Sequence, residues 1–236
     1  MPGAMATSSH RCRCRCIEVT FSLLGHCGRT GQIGAAVTTS SIAVGSRVPF
    51  LAAGLGGVLT QHRTDPRLGP RGLNLLRSGC TADQAVAALV ASTPYDHWRQ
   101  IAVMDAAGRT AHFHGAKVKP AHSAAHGPGV VALGNILANA QVPLAMVAAF
   151  LSVPEAPLAE RLLRALEAGE AAGGEHGDVT SASLLVVEAE VFPLVDLRVD
   201  KSPRPLPALR ALWEEYQPLV RGFVQRALDP EDAPII

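Results

Sequence analysis

Apolar positions in the first half of this chain come in short blocks, and only later in stretches long enough for full helices. Thr20 to Gly25 and Ile33 to Thr38 are brief apolar, β-branched runs, and Cys27-Gly28-Arg29-Thr30-Gly31-Gln32 between them has hairpin turn chemistry. They predict an antiparallel pair. With the turn centred between Arg29 and Thr30, paired residue numbers sum to about 59, which sets Thr39 opposite Thr20. Leu55 to Gln61 reads as a third strand. Its glycines Gly54, Gly56 and Gly57 signal close backbone approach rather than a phosphate loop, because no Gly-Lys-Ser/Thr follows. Past the loop His62 to Pro66, the pattern predicts a helix over Gly69 to Ser78. Thr81 opens another, with Gln84 at capping-box spacing and Val86 and Leu89 turned to the core.

Arg99 to Met104 and Arg109 to His114, joined by Asp105 to Gly108, form a second predicted hairpin, and Val130 to Gly134 a further strand. Ala138 to Leu151 and Leu158 to Ala168 read as Ala/Leu-rich helices, and Gly173, Gly174 and Gly177 as a loop. Ser183 to Glu190 reads as a late strand and Leu206 to Leu228 as one amphipathic closing helix. Antiparallel blocks alternating with grouped helices make the fold class α+β, and a four-layer αββα sandwich accommodates the order. Residues 19–229 read as a single domain, with 230–236 as a tail.

Composition narrows the partners. The 236 residues are 48% apolar, with 21 basic against 20 acidic side chains. A chain of this size buries roughly 70% of its unfolded surface, and its balanced charge draws it to neither nucleic acid nor an anionic membrane. The expected partner is small and near neutral. The longest apolar run, Pro143 to Leu151, is far shorter than the roughly 18 residues of a membrane span. The N-terminus lacks the apolar stretch of a secretory signal, which points to the cytoplasm. A homodimer is the default assembly for a chain of this size.

Three of the five cysteines lie in Arg11-Cys12-Arg13-Cys14-Arg15-Cys16. Such spacing can hold a soft metal, but a perfect Arg-Cys repeat is also what a tandem hexanucleotide in leader DNA would encode. Residues 1–18 are therefore expected to be a disordered or spurious extension. His112 and His114 lie on one face of a predicted strand, and His122 with His126 would share a face if that segment were helical. No acidic residue sits at a matching spacing, so neither metal nor cofactor is assigned.

Thr20-Phe-Ser22, Thr38-Thr-Ser-Ser-Ile-Ala-Val-Gly45, Thr60-Gln61, Asp65-Pro-Arg-Leu-Gly-Pro-Arg-Gly72, Gly134-Asn135, Ala172-Gly-Gly-Glu175 and Val195-Asp-Leu-Arg-Val-Asp200 together resemble the bacterial family called domain of unknown function 1028. The resemblance runs collinearly from about residue 19 to residue 229. It implies membership of the N-terminal-nucleophile (Ntn) hydrolase superfamily, whose fold is the αββα sandwich. It also implies amide hydrolysis in which the first residue of the mature chain attacks while its own α-amine serves as base. An α-amine suits this role because its ordinary pKa, about 7.7 to 8.0, leaves much of it unprotonated at neutral pH.

The family's start, Met-Thr-Phe-Ser, falls on Val19-Thr20-Phe21-Ser22, so the resemblance makes Thr20 the nucleophile. That role requires a chain beginning at Thr20, produced by translation from Val19 on a GTG codon or by cleavage of the leader. Asn135, at a strand end, is the candidate oxyanion donor. Thr39 and Ser40, beside Thr20 by the hairpin count, are candidate substrate-binding residues, as are Gln61, Asp65, Glu175 and Ser181 at strand ends and in glycine-rich loops. Their ordinary roles would be capping and local hydrogen bonding. His62 stands where relatives often carry asparagine, and Thr180 where they carry histidine; if either position contributes to substrate choice, this implies a substrate different from theirs or a decayed activity. The competing reading is a non-catalytic ligand-binding or scaffold protein on the same fold.

Overall fold

The first predicted hairpin sets the register of everything around it. In a computed structural model, which describes residues 19–235, β1 (Thr20–His26) and β2 (Ile33–Thr39) pair antiparallel, with Thr20 opposite Thr39 and His26 opposite Ile33. The Arg-Cys segment and the expectation of a disordered extension over 1–18 lie outside the described residues. On its other side β1 pairs with β8 (Val130–Asn135), so Asn135 flanks Thr20. β9 (Ser181–Val187) adds to β2, β10 (Val195–Val199) to β9 and β7 (Ser123–Gly127) to β8. A second antiparallel sheet runs in sequence order through β3 (Pro49–Ala52), β4 (Gly56–Gln61), β5 (Gln100–Asp105) and β6 (Thr110–His114). The fold is α+β.

The helices are α1 (Leu68–Arg77), α2 (Ala82–Ser92), α3 (Val142–Ser152), α4 (Leu158–Ala171), α5 (Pro205–Tyr216) and α6 (Val220–Leu228). Thr81 caps α2 as its spacing predicts: its hydroxyl accepts from the Gln84 backbone N–H, and the Gln84 side chain accepts from the Thr81 N–H. Three apolar clusters follow from strand alternation. Phe21, Leu23 and Ala132 pack against Phe150 of α3 and Leu162 of α4. Leu24, Val37 and Leu133 meet Leu59, Ala102 and Met104 of the smaller sheet. Val58, Ile101 and Val103 pack against Leu68 of α1 and Leu89 of α2.

Several elements differ from the sequence expectation. Leu206 to Leu228 is two helices, because Pro218, which has no N–H to donate, sits in a 3-10 turn over Gln217–Leu219. Residues Ser123 to Gly127, although poor β-formers, form strand β7 through pairing with β8. His122 and His126 therefore share no helix face. The strands β3 and β10 were not foreseen, and α3 starts at Val142 rather than Ala138, with the Asn139 side chain accepting from the Gln141 N–H just before it. No helix among the described residues is long and apolar enough to cross a membrane.

Candidate active site

Alternation carries more than the core. Leu24, Val37 and Leu133 make the space between the sheets apolar, but toward the start of β1 the same faces carry Ser22, Thr20, Thr39 and Asn135. From the smaller sheet Gln61 and Gln100, paired across β4 and β5, occupy the same end. All of these except Thr20, at 6%, are no more than 1% exposed. Buried polar side chains must find partners in one another, and here they form a chain.

The Ser22 hydroxyl donates to Gln61 Oε1 (2.7 Å), and Gln61 Nε2 donates to Gln100 Oε1 (2.6 Å). Gln100 Oε1 also accepts from Asn135 Nδ2 (2.8 Å). Gln100 Nε2 donates to the Gly134 carbonyl and to His114 Nδ1, each at 2.8 Å. The backbone carbonyl of Gly134 can only accept, which fixes the Gln100 amide, and Gln100 in turn fixes Gln61 and Asn135. Asn135 Oδ1 is left buried without a partner. His114, half-buried and close to His112 and His122, has its pKa pushed down to about 4 and stays neutral, as an acceptor at Nδ1 must.

Thr20 Oγ1 lies 3.0 Å from Thr39 Oγ1. The Thr39 hydroxyl is itself in a short hydrogen bond to the Val19 carbonyl, so its single proton is committed there and Thr20 is the donor between the two threonines. The Ser40 backbone N–H also donates to the Val19 carbonyl (3.3 Å), and the Val19 N–H donates to Ser40 Oγ (3.1 Å). Two donors, one a hydroxyl and one an amide, thus converge on the carbonyl oxygen just before Thr20.

The fold brings Thr20, Thr39, Ser40 and Asn135 together and ties Gln61 to them through Ser22 and Gln100. Ser181 lies one strand further, opposite Thr39; its hydroxyl donates to the Ser41 carbonyl (2.6 Å) and accepts from the Val44 N–H (3.1 Å), pinning the loop after β2. Asp65 sits past the end of β4, bound by the Arg67 side chain through two contacts of 2.8 Å, which holds its carboxyl below the usual range. Glu175 is on the opposite, helix-side face: it bridges to Leu137 and, with Phe21, lines a cavity of about 270 Å³. Both its carboxyl oxygens are buried without partners, and burial pushes its pKa up to about 9, so the group is a neutral acid.

Sequence reasoning missed Ser22, Gln100 and His114 as members of this cluster. Ser22 had a usable signal, a polar residue two positions from Thr20 on the same strand face. Gln100 had none, because its partners are set by strand order rather than spacing. His126 meets His112 at 2.7 Å between ring nitrogens, His114 stacks on His122 with ring centres 4.9 Å apart, and the structure offers no metal-binding group of three or more ligands among the described residues.

Residues 20–209 match a family described as a family of unknown function, DUF1028. The crystal structure of a Silicibacter pomeroyi protein of that family, SPO2555, is similar to this chain. It shows 32% sequence identity and a TM-score of 0.79, covering 84% of this chain and 89% of its own. No curated protein matches.

Proposed function

The chain belongs to the DUF1028 family, and from that premise we propose that it is an amide-bond hydrolase of the N-terminal-nucleophile type, acting on a small or N-acyl substrate through Thr20. Apolar layers between helices and sheet, between the two sheets, and between sheet and helices are what an αββα sandwich of that superfamily has, and they support the reading. The observation that carries it is the Val19 carbonyl between the Thr39 hydroxyl and the Ser40 N–H. In a chain that begins at Thr20 this carbonyl is gone. The two donors that held it then face the place that the oxygen of a substrate carbonyl would take.

The chemistry follows from the groups in place. The α-amine of Thr20 takes the proton from Oγ1, and Oγ1 bonds to the carbonyl carbon. The oxyanion that forms is held by the Thr39 O–H and the Ser40 N–H, preorganised by the strand pairing rather than recruited during reaction. Collapse expels the amine, which leaves with the proton from the Thr20 ammonium. A water, deprotonated by the same amine, then cleaves the ester. Asn135, expected from the sequence as the oxyanion donor, has its nitrogen engaged with Gln100; in this reading it contributes instead its unpartnered Oδ1 as acceptor for an N–H of the α-amine and so orients the base.

The test compares three chains: one starting at Thr20, the same with Thr20→Ala, and one with a single residue added before Thr20. An electrophilic amide or lactone should label Thr20 only in the first, as located by peptide mass spectrometry. Adducts that survive Thr20→Ala or ignore the added residue would refute the mechanism and leave a ligand-binding protein on this fold as the better reading.

A further inference from the structure

The smaller sheet ends, beside Gln61 and Gln100, in a rim of positive charge. Within 62–67, 96–99 and 117–119 stand five guanidinium or ammonium groups, Arg63, Arg67, Arg99, Lys117 and Lys119, against two carboxylates, Asp65 and Asp96. Asp65 is taken by Arg67 and lies 3.6 Å from Arg99, and Asp96 contacts His97 at 3.6 Å. Among the described residues neither Arg63, Lys117 nor Lys119 has a carboxylate partner. Arg63 lies 5.0 Å and Lys117 5.4 Å from the centre of the Trp98 ring, so one indole is within cation–π reach of two cations.

The backbone is set up to keep them there. His62 and Arg63, immediately after Gln61, are consecutive non-glycine residues in the left-handed region, at φ 50 and 55, a conformation that a fold must hold in place. The His62 ring does part of that holding: Nδ1 donates to the Trp98 carbonyl (2.9 Å) and Nε2 accepts from the Lys119 N–H (3.2 Å). Burial, with Arg63 and Lys119 behind it, keeps His62 neutral, as this pairing requires. From Lys119 the chain crosses to the larger sheet, where the Ala121 carbonyl accepts from the Leu137 N–H (2.8 Å), two residues past Asn135. The cations therefore border the end of the intersheet layer that holds Thr20. Arg99 adds a buried Nε with no partner.

Unpaired cations gathered over an aromatic ring repel one another, and an anion relieves that repulsion. We propose that the substrate of this site carries an anionic group, a carboxylate or a phosphate, set apart from its scissile amide and bound by Arg63 and Lys119 at the Trp98 rim. The amide part rests on the reading of Thr20 as nucleophile, whereas the anion site does not.

Three β-lactone probes with one acyl body, ending in a carboxylate, a phosphate monoester or a methyl ester, test this on protein that starts at Thr20. At low salt an anionic probe should acylate about tenfold faster than the ester, and the ratio should fall to near one in Arg63→Ala/Lys119→Ala and at high salt. The faster anionic probe names the group. Fluorescence titration with unreactive oxetane analogues of the three probes, in which the ring carbonyl is replaced by CH2 so that the ester form stays neutral, with Trp98→Phe as control, reads binding without chemistry. Preferential binding of the anionic forms with no labelling would keep the anion site and remove the nucleophile. Equal binding of anionic and neutral forms overturns the inference whatever the labelling.

Discussion

At the scale of single residues, Gln100 holds the most. Its amide takes hydrogen bonds from Gln61 and Asn135 and gives them to Gly134 and His114. Gln100→Leu would fit the space but strand two buried amides and a carbonyl, each at about 1 to 3 kcal/mol. A loss of several kcal/mol is expected, read as a fall in Tm on the order of 10 °C for a chain of this size. Ser22→Ala, which frees only one acceptor at the end of the chain of bonds, should cost about 1 kcal/mol. Equal losses in the two variants would show that Gln100 is not the centre of the network. The arrangement was not legible beforehand: Gln61, Gln100 and Asn135 are far apart in sequence, and only the pairing of β4 with β5 and the stacking of that sheet on β8 bring them together. Thr39 beside Thr20 was legible, because a tight hairpin fixes register by counting.

At the scale of elements, two glycines explain how closely helices approach the larger sheet. Gly25 and Gly34 face each other across β1 and β2, and a Cβ on either would lie 2.6 Å from Phe150 or 2.4 Å from Leu162. Gly34→Ala should therefore push α4 outward and destabilise by about 1 to 3 kcal/mol. Gly28→Ala, with no atom within 4 Å of the new carbon, serves as the control and should be near neutral. Thermal unfolding of both decides it: a harmless Gly34→Ala would mean that α4 is loosely seated. Elements with their own chemistry, such as the Thr81 cap, could be read locally. β7, made of Ser-Ala-Ala-His-Gly, is a strand only because β8 pairs with it, and no propensity announces that.

At the scale of the whole molecule, two sets of titratable groups oppose each other. His26, His62, His112, His114 and His126 all have lowered pKa values, chiefly through burial, His114 to about 4 from an ordinary 6.5. Between those values the unfolded chain binds protons that the folded one refuses, so stability falls as pH drops from 6.5. Glu175 works the other way. Its pKa is about 9 folded against 4.5 ordinarily, so across that window the folded state keeps a proton the unfolded state has lost, and stability falls as pH rises. Below 6.5 five imidazoles act against two carboxyls, Glu175 and the likewise raised Glu170, while above it the carboxyls act against no histidine. The Tm should therefore peak near pH 6.5, at about the unfolded histidine pKa. Glu175→Gln removes the titration but keeps the shape, so it should raise the Tm at pH 8 to 9 and flatten the alkaline limb while leaving the acid limb as steep as before. An alkaline limb unchanged in Glu175→Gln would mean that the carboxyl ionises freely in the folded protein, with water or a cation reaching it through the cavity beside Phe21.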